Sequence, residues 1–329
     1  YDRELKDVFA IQEEIASNIA TTLLDTISRR NRKAIRRPRT ANVEAYDYYL
    51  RGRKHFKRFR RTDIELAREM FRNAVDLDPE FSLAWAAYAD CHSFLAMYVE
   101  RNPALIEEAH KASKRAIRLD PDLAEARASR GLACLVSRDF DRAETEFRKA
   151  IDSNPYLSRT YYYYGRERFQ RGSMRTAAKL FRKAADLDPM DYQSRCLRVQ
   201  VLQGLGQLDL ARQEAREAIA VVERHMDAWP DDPSALNLGA LSLLQVGEEE
   251  QAQQWLERAL QIDPDDPIVL YNAACGYALL GKADKALDYL ERAIEHGTIS
   301  LDWMRNDSDL SSIREDPRYA ELAEQLARA

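Results

Sequence analysis

The chain is short of the residues that build disulfide frameworks, metal centres and irregular folds. Among 329 residues there are four cysteines, five histidines and eleven each of glycine and proline. Cys91, Cys134, Cys196 and Cys275 stand at separate sites with no C-x-x-C pair. That pattern argues against a disulfide scaffold and against a zinc site. Unpaired thiols fit a reducing cytoplasm. His55, His92, His110, His225 and His296 form neither H-E-x-x-H nor a spaced Cys/His set. G-x-S-x-G, a phosphate loop and G-x-G-x-x-G are also missing. "GLGQLD" (204–209) puts its glycines between two helices, not after a strand. No stretch approaches 18 uncharged apolar residues, so none reads as a membrane span, and none reads as a signal peptide. The expectation is a non-catalytic chain with no cofactor, no metal and no membrane partner.

What is present is charge, at 32% of residues, and a repeat. "LDP" ends at Pro79, Pro121 and Pro189, "SNP" at Pro155 and "IDP" at Pro264. Pro121 to Pro155 is 34 residues, and Pro155 to Pro189 is 34 again. Ahead of each proline stands one skeleton: Ala143, Phe147, Ala150 before Pro155, and Ala177, Phe181, Ala184 before Pro189. Small, large, small on one helix face lets a neighbouring helix approach while the large side chain fills the space between. Proline then punctuates. Upstream, Tyr161, Tyr164 and Gly165 mark a first helix. A fixed period near 34 predicts a stacked array of helix pairs.

These positions resemble the tetratricopeptide repeat (TPR) family. Tyr161, Tyr164, Gly165, Ala177, Phe181, Ala184 and Pro189 form the clearest copy. Trp85, Tyr88, Ala89, Ala109, Ala116 and Pro121 form another, with an eight-residue insertion around "YVERNPAL". A third has Gly131, but Arg127 and Arg130 replace its apolar residues. The fifth has no stop before Pro230, so its second helix should run on through "VVERHMDAW". The expected fold is all-α: a right-handed α-solenoid of about seven helix pairs over 44–297, at 44–79, 82–121, 122–155, 156–189, 190–230, 233–264 and 265–297. A cap over 298–329 should end in a helix starting near Asp316–Pro317, since solenoid ends need a polar-faced closure.

Residues 1–43 stand outside the array. Val8, Phe9, Ile11, Ile15, Ile19, Leu23 and Ile27 recur at steps of 3–4, the pattern of one amphipathic helix, with Asp7 as its N-cap. "YDRELKDVFAIQEEIA" resembles a segment of bacterial signalling proteins that closes a small TolB-like α/β domain before a TPR array. "EAYDYYLRGR" and the tail over 302–326 resemble parts of the same proteins, which include class III adenylate cyclases, winged-helix regulators and protein kinases. The resemblance implies a cytoplasmic interaction module, or an intramolecular regulatory region whose effector domain lies upstream of Tyr1. Residues 1–61 carry 16 Lys/Arg against 8 Asp/Glu, and the rest 34 against 47. The basic stretches 29–39 and 51–61 could serve an acidic partner or nucleic acid. The acidic body and the lack of a nucleic-acid motif favour a solvated linker and helix face instead.

The register of the resembling family implies that Tyr161 and Tyr164 are buried between helices, while Tyr162 and Tyr163 face the concave groove. It places Arg159, Arg166 and Phe169 there too, with Tyr46, Tyr49, Arg53 and Phe56 from the first repeat, and Asn237, Tyr271 and Asn272 near the far end. No three consecutive repeats carry the family's Lys/Asn carboxylate clamp. The expected ligand is an extended protein or peptide segment, acidic or aromatic, from the parent polypeptide, another protein or a second copy of the chain.

Overall fold

The computed structural model describes residues 40–58, 60–100, 102–297 and 299–328. The amphipathic stripe over 8–27 and the basic stretch 29–39 lie outside them. Among the described residues all regular structure is helical. Seven antiparallel pairs follow one another: α1 Val43–Phe56 with α2 Arg61–Leu77, α3 Ser82–Tyr98 with α4 Pro103–Leu119, α5 Ala124–Val136 with α6 Phe140–Ser153, and α7 Ser158–Gln170 with α8 Met174–Leu187. Then come α9 Tyr192–Gly204 with α10 Leu208–Ala228, α11 Pro233–Val246 with α12 Glu249–Ile262, and α13 Pro267–Leu279 with α14 Ala283–His296. A terminal segment adds α15 Leu301–Asn306, a 3-10 turn Ser308–Ile313 and α16 Pro317–Arg328.

Local chemistry sets these boundaries. Asn42, Asn102, Asp139, Asp191, Asp232 and Asp266 each accept a hydrogen bond from a first-turn amide, satisfying an otherwise orphaned donor. Pro103, Pro233 and Pro267 sit in the first turn, where no amide hydrogen is needed. In the last four pairs a left-handed glycine, such as Gly247 at φ 88°, turns the chain between helices. The third pair uses Arg138 at φ 62° instead. The insertion in the second pair is taken up largely by helix: α3 and α4 each run to 17 residues.

The small–large–small skeleton packs as its spacing demands. Phe71, Phe147 and Phe181 are buried with their flanking alanines. Each ring sits against a glycine of the preceding helix: a Cβ at Gly52, Gly131 or Gly165 would stand 2.7, 2.5 or 2.7 Å from it. Stacking then closes the array on itself. The Arg58 guanidinium lies 4.8 Å from the Trp229 ring centre, and Ile268 packs on the cluster formed by the first two pairs. A Cβ at Gly297 would stand 2.8 Å from the Tyr98 carbonyl oxygen. The first helix of each pair therefore faces an interior.

Candidate functional site: the interior of the array

The terminal segment enters that interior. Trp303 lies 4.2 Å from Phe169, ring centre to ring centre. Asn306 donates to the carbonyls of Phe169 and Gln170 at 3.0 and 2.9 Å, taking up exposed acceptors at the end of α7. Asp307 accepts from Tyr271 Oη at 2.8 Å and from Gln200 Nε2 at 2.8 Å. Gln200 also donates to Asp309, at 3.1 Å. Burial pushes both aspartates above the usual carboxylate range, Asp309 well above it, with Asp307 adding to that shift. The Cys275 thiol joins these carboxylates within 4.8 Å. A metal could be held by this geometry, but Gln200 and Tyr271 already hydrogen-bond the carboxylates.

A cavity of about 110 Å³ opens between this segment and α3, α7, α9, α11 and α13. Tyr162, Arg166, Tyr271 and Asn272 of the expected groove residues line it, together with Tyr98 and Trp303. Among the described residues, Arg166 is the one ionised side chain in the lining. Its guanidinium carbon lies 4.4 Å from Trp303, 5.0 Å from Tyr98 and 5.7 Å from Tyr162. Nη1 donates to Tyr162 Oη at 3.1 Å.

Next to the cavity, Arg159 is already committed. It donates to Asp90 at 2.5 Å and to Tyr163 Oη at 3.3 Å, and stacks 5.6 Å from Phe56. Asp90 is itself buried, and that burial raises its pKa against the pull of Arg159.

Several expected groove residues are corrected by the fold. Tyr163 is as buried as Tyr161 and Tyr164, because Arg159 and the closed interior cover it; burial pushes its hydroxyl to about 12. Phe169 is buried under Trp303. Tyr49 packs between Phe71 and Phe81, at 5.8 and 5.1 Å, as a core ring between helices. Asn237 is fully buried and donates to the Val269 carbonyl at 3.2 Å, a bridge from α11 to α13. Tyr46 is half-buried against Tyr49, and Arg53 is exposed. Neither reaches the cavity. Sequence reasoning missed Tyr98, Asp90 and Trp303. Tyr98 and Asp90 follow no repeat position that marks function, and Trp303 lies in a segment read only as a cap.

Residues 105–158 and 196–267 match the family model for the tetratricopeptide repeat. The chain carries tetratricopeptide repeats, and its fold is their α-solenoid. It is 25% identical over 146 residues to the protein named "Putative adenylate cyclase 3" of Rhizobium meliloti (strain 1021), a match covering 44% of this chain and 25% of that protein. Among solved structures, a monomeric mutant of IFIT1 with Gppp-AAAA superposes with a TM-score of 0.56 at 16% identity, over 95% of this chain and 76% of that one. The APC/C hetero-tetramer Cut9–Hcn1 gives 0.54 at 14% identity, over 87% and 49%. At these identities the likeness is one of fold.

Proposed function

We propose that this tetratricopeptide-repeat array is a non-catalytic regulatory module that binds a peptide or partner domain against its interior helices. The observation that carries this reading is the lined cavity at Arg166 and Tyr162. It combines an arginine with large aromatic rings at the centre of the inner wall, the residue types enriched where binding energy concentrates. The repeats themselves support a partner of protein nature, because stacked helix pairs present extended inner surfaces.

A finer reading is that the partner belongs to the same polypeptide, and that the array regulates an adenylate cyclase or related signalling effector. The identity to the Rhizobium meliloti protein supports it. The test is a titration of the purified array with the separately expressed effector region of its gene. Micromolar or tighter binding, weakened at least tenfold by Tyr162→Ala, is expected. Undiminished binding by the variant, or none by either protein, contradicts the reading. The array alone should show no cyclase or kinase turnover. Turnover abolished by a point substitution within the chain would overturn the non-catalytic assignment.

A further inference from the structure

Most inward-facing guanidiniums elsewhere among the described residues have carboxylates, while buried Arg130 meets the His110 ring instead. Arg159 has Asp90, Arg168 has Glu144 and Glu167, and Arg195 and Arg198 share Glu214. Arg166 has none among the described residues, although it is nine-tenths buried. One of its five N–H donors goes to Tyr162, while Nε is buried without an acceptor. The three flanking rings stabilise the positive charge through their faces, and of their side chains the Tyr162 hydroxyl alone accepts an N–H bond. A buried charge without a counter-ion is costly, and the usual remedies are a paired anion or an apolar replacement. Arg166 has neither. It points instead into a cavity lined by no Asp or Glu among the described residues, which leave its one positive charge uncompensated.

The rest of the lining limits what could neutralise it. Phe94, Met97, Leu197, Leu238 and Ile268 give apolar walls, while the amides of Gln170, Gln193 and Asn272 offer donors. The volume, about 110 Å³, is below that of an enclosed engineered cavity of about 150 Å³ that takes up benzene, but this cavity opens to solvent, so a ring bearing a carboxylate can extend out of it. A guanidinium lying against Trp303 presents a planar fork matched to a carboxylate.

We propose that this cavity is a binding site for a small planar organic carboxylate, held by Arg166 with its apolar body between the interior helices and Trp303. The carboxylate is either that of a free small molecule or that of a peptide terminus. The proposal rests on the interior being the binding face and names the chemistry recognised there. Ile299, Ser300 and Trp303 come from the terminal segment, so the site is complete only when that segment is docked, and an occupant holds it in place.

The experiment uses the whole chain and four probes at constant ionic strength: benzoate, its neutral isostere benzamide, and a short peptide ending in phenylalanine with a free or an amidated terminus. Binding is followed by calorimetry and by tryptophan fluorescence, with Trp303→Phe identifying the signal from the pocket. Benzoate should bind at least tenfold more tightly than benzamide and should slow hydrogen exchange over 299–313. Arg166→Met, an apolar replacement of similar length, should melt at or above the parent temperature and lose the preference for the anion. A free-acid peptide binding far more tightly than benzoate assigns the carboxylate to a peptide; equal or weaker binding assigns it to a small molecule. Equal binding of benzoate and benzamide, no binding of either pair, or a preference that survives Arg166→Met overturns the proposal. Loss of effector binding alone sinks the partner reading and leaves this site standing. Failure of all the carboxylates beside intact effector binding does the reverse.

Discussion

Tyr163 decides how far a repeat register can be carried onto single side chains. In an open solenoid its position would look into a groove. Here the interior is closed, and its hydroxyl accepts from Arg159 beside buried Asp90. Tyr163→Ala should therefore cost about 3–5 kcal/mol, as for other buried aromatics, and Tyr163→Phe about 0.5–1.5 kcal/mol for the one hydrogen bond. Tyr162→Ala, at a half-buried ring, should cost less than Tyr163→Ala. Chemical denaturation of the three variants measures this; equal losses for Tyr162→Ala and Tyr163→Ala would contradict the assigned burial. The sequence made Tyr161 and Tyr164 legible as core because the repeat pattern uses them. It could not reveal Tyr163, which is covered by Arg159 as Asp90 and Phe56, 73 and 107 residues from Tyr163 in sequence, hold that arginine.

At the scale of elements, four of the seven helix pairs are held by a ring (Phe71, Phe147, Phe181 or Trp255) filling the space that a missing Cβ leaves. Gly131→Ala would place a methyl group 2.5 Å from the buried Phe147 ring. The expected loss is about 1–3 kcal/mol from overpacking. Phe147→Leu in the same chain should recover part of it, a non-additivity that a double-mutant cycle detects. This feature was readable in advance, since Gly, Ala, Phe and Ala recur at constant spacing.

The terminal segment was legible only as a cap, and its buried aspartates give it a pH dependence. Burial raises the pKa of both Asp307 and Asp309. Gln200, Tyr271 and Cys275 face them, and the Arg314 guanidinium donates to the Asp307 carbonyl. The folded state thus keeps protons that the unfolded chain releases above the ordinary Asp value near 3.9. Their stabilising contribution is complete below about pH 4 and is lost as pH rises through the raised folded values. Asp309→Asn should flatten that decline, so its advantage over the parent chain in thermal melting should be larger at pH 8 than at pH 5. An advantage that shrinks with rising pH would contradict the burial of an unpaired carboxyl.

At the scale of the whole molecule, the array is a closed superhelix whose inner wall is finished by its own terminal segment. Local periodicity predicts the pairs, because each pair's contacts are written within one repeat. Closure depends instead on small rotations summed over seven pairs, and on contacts such as Arg58 with Trp229 that no single repeat encodes. The central claim is that partners bind this inner wall. Hydrogen exchange of the array, with and without the proposed effector partner, tests it most directly. Protection is expected on the inner helices, at 158–170, 192–204 and 267–279, and over the terminal segment 299–313. Protection confined to the outer helices, such as 140–153 and 174–187, would contradict the account.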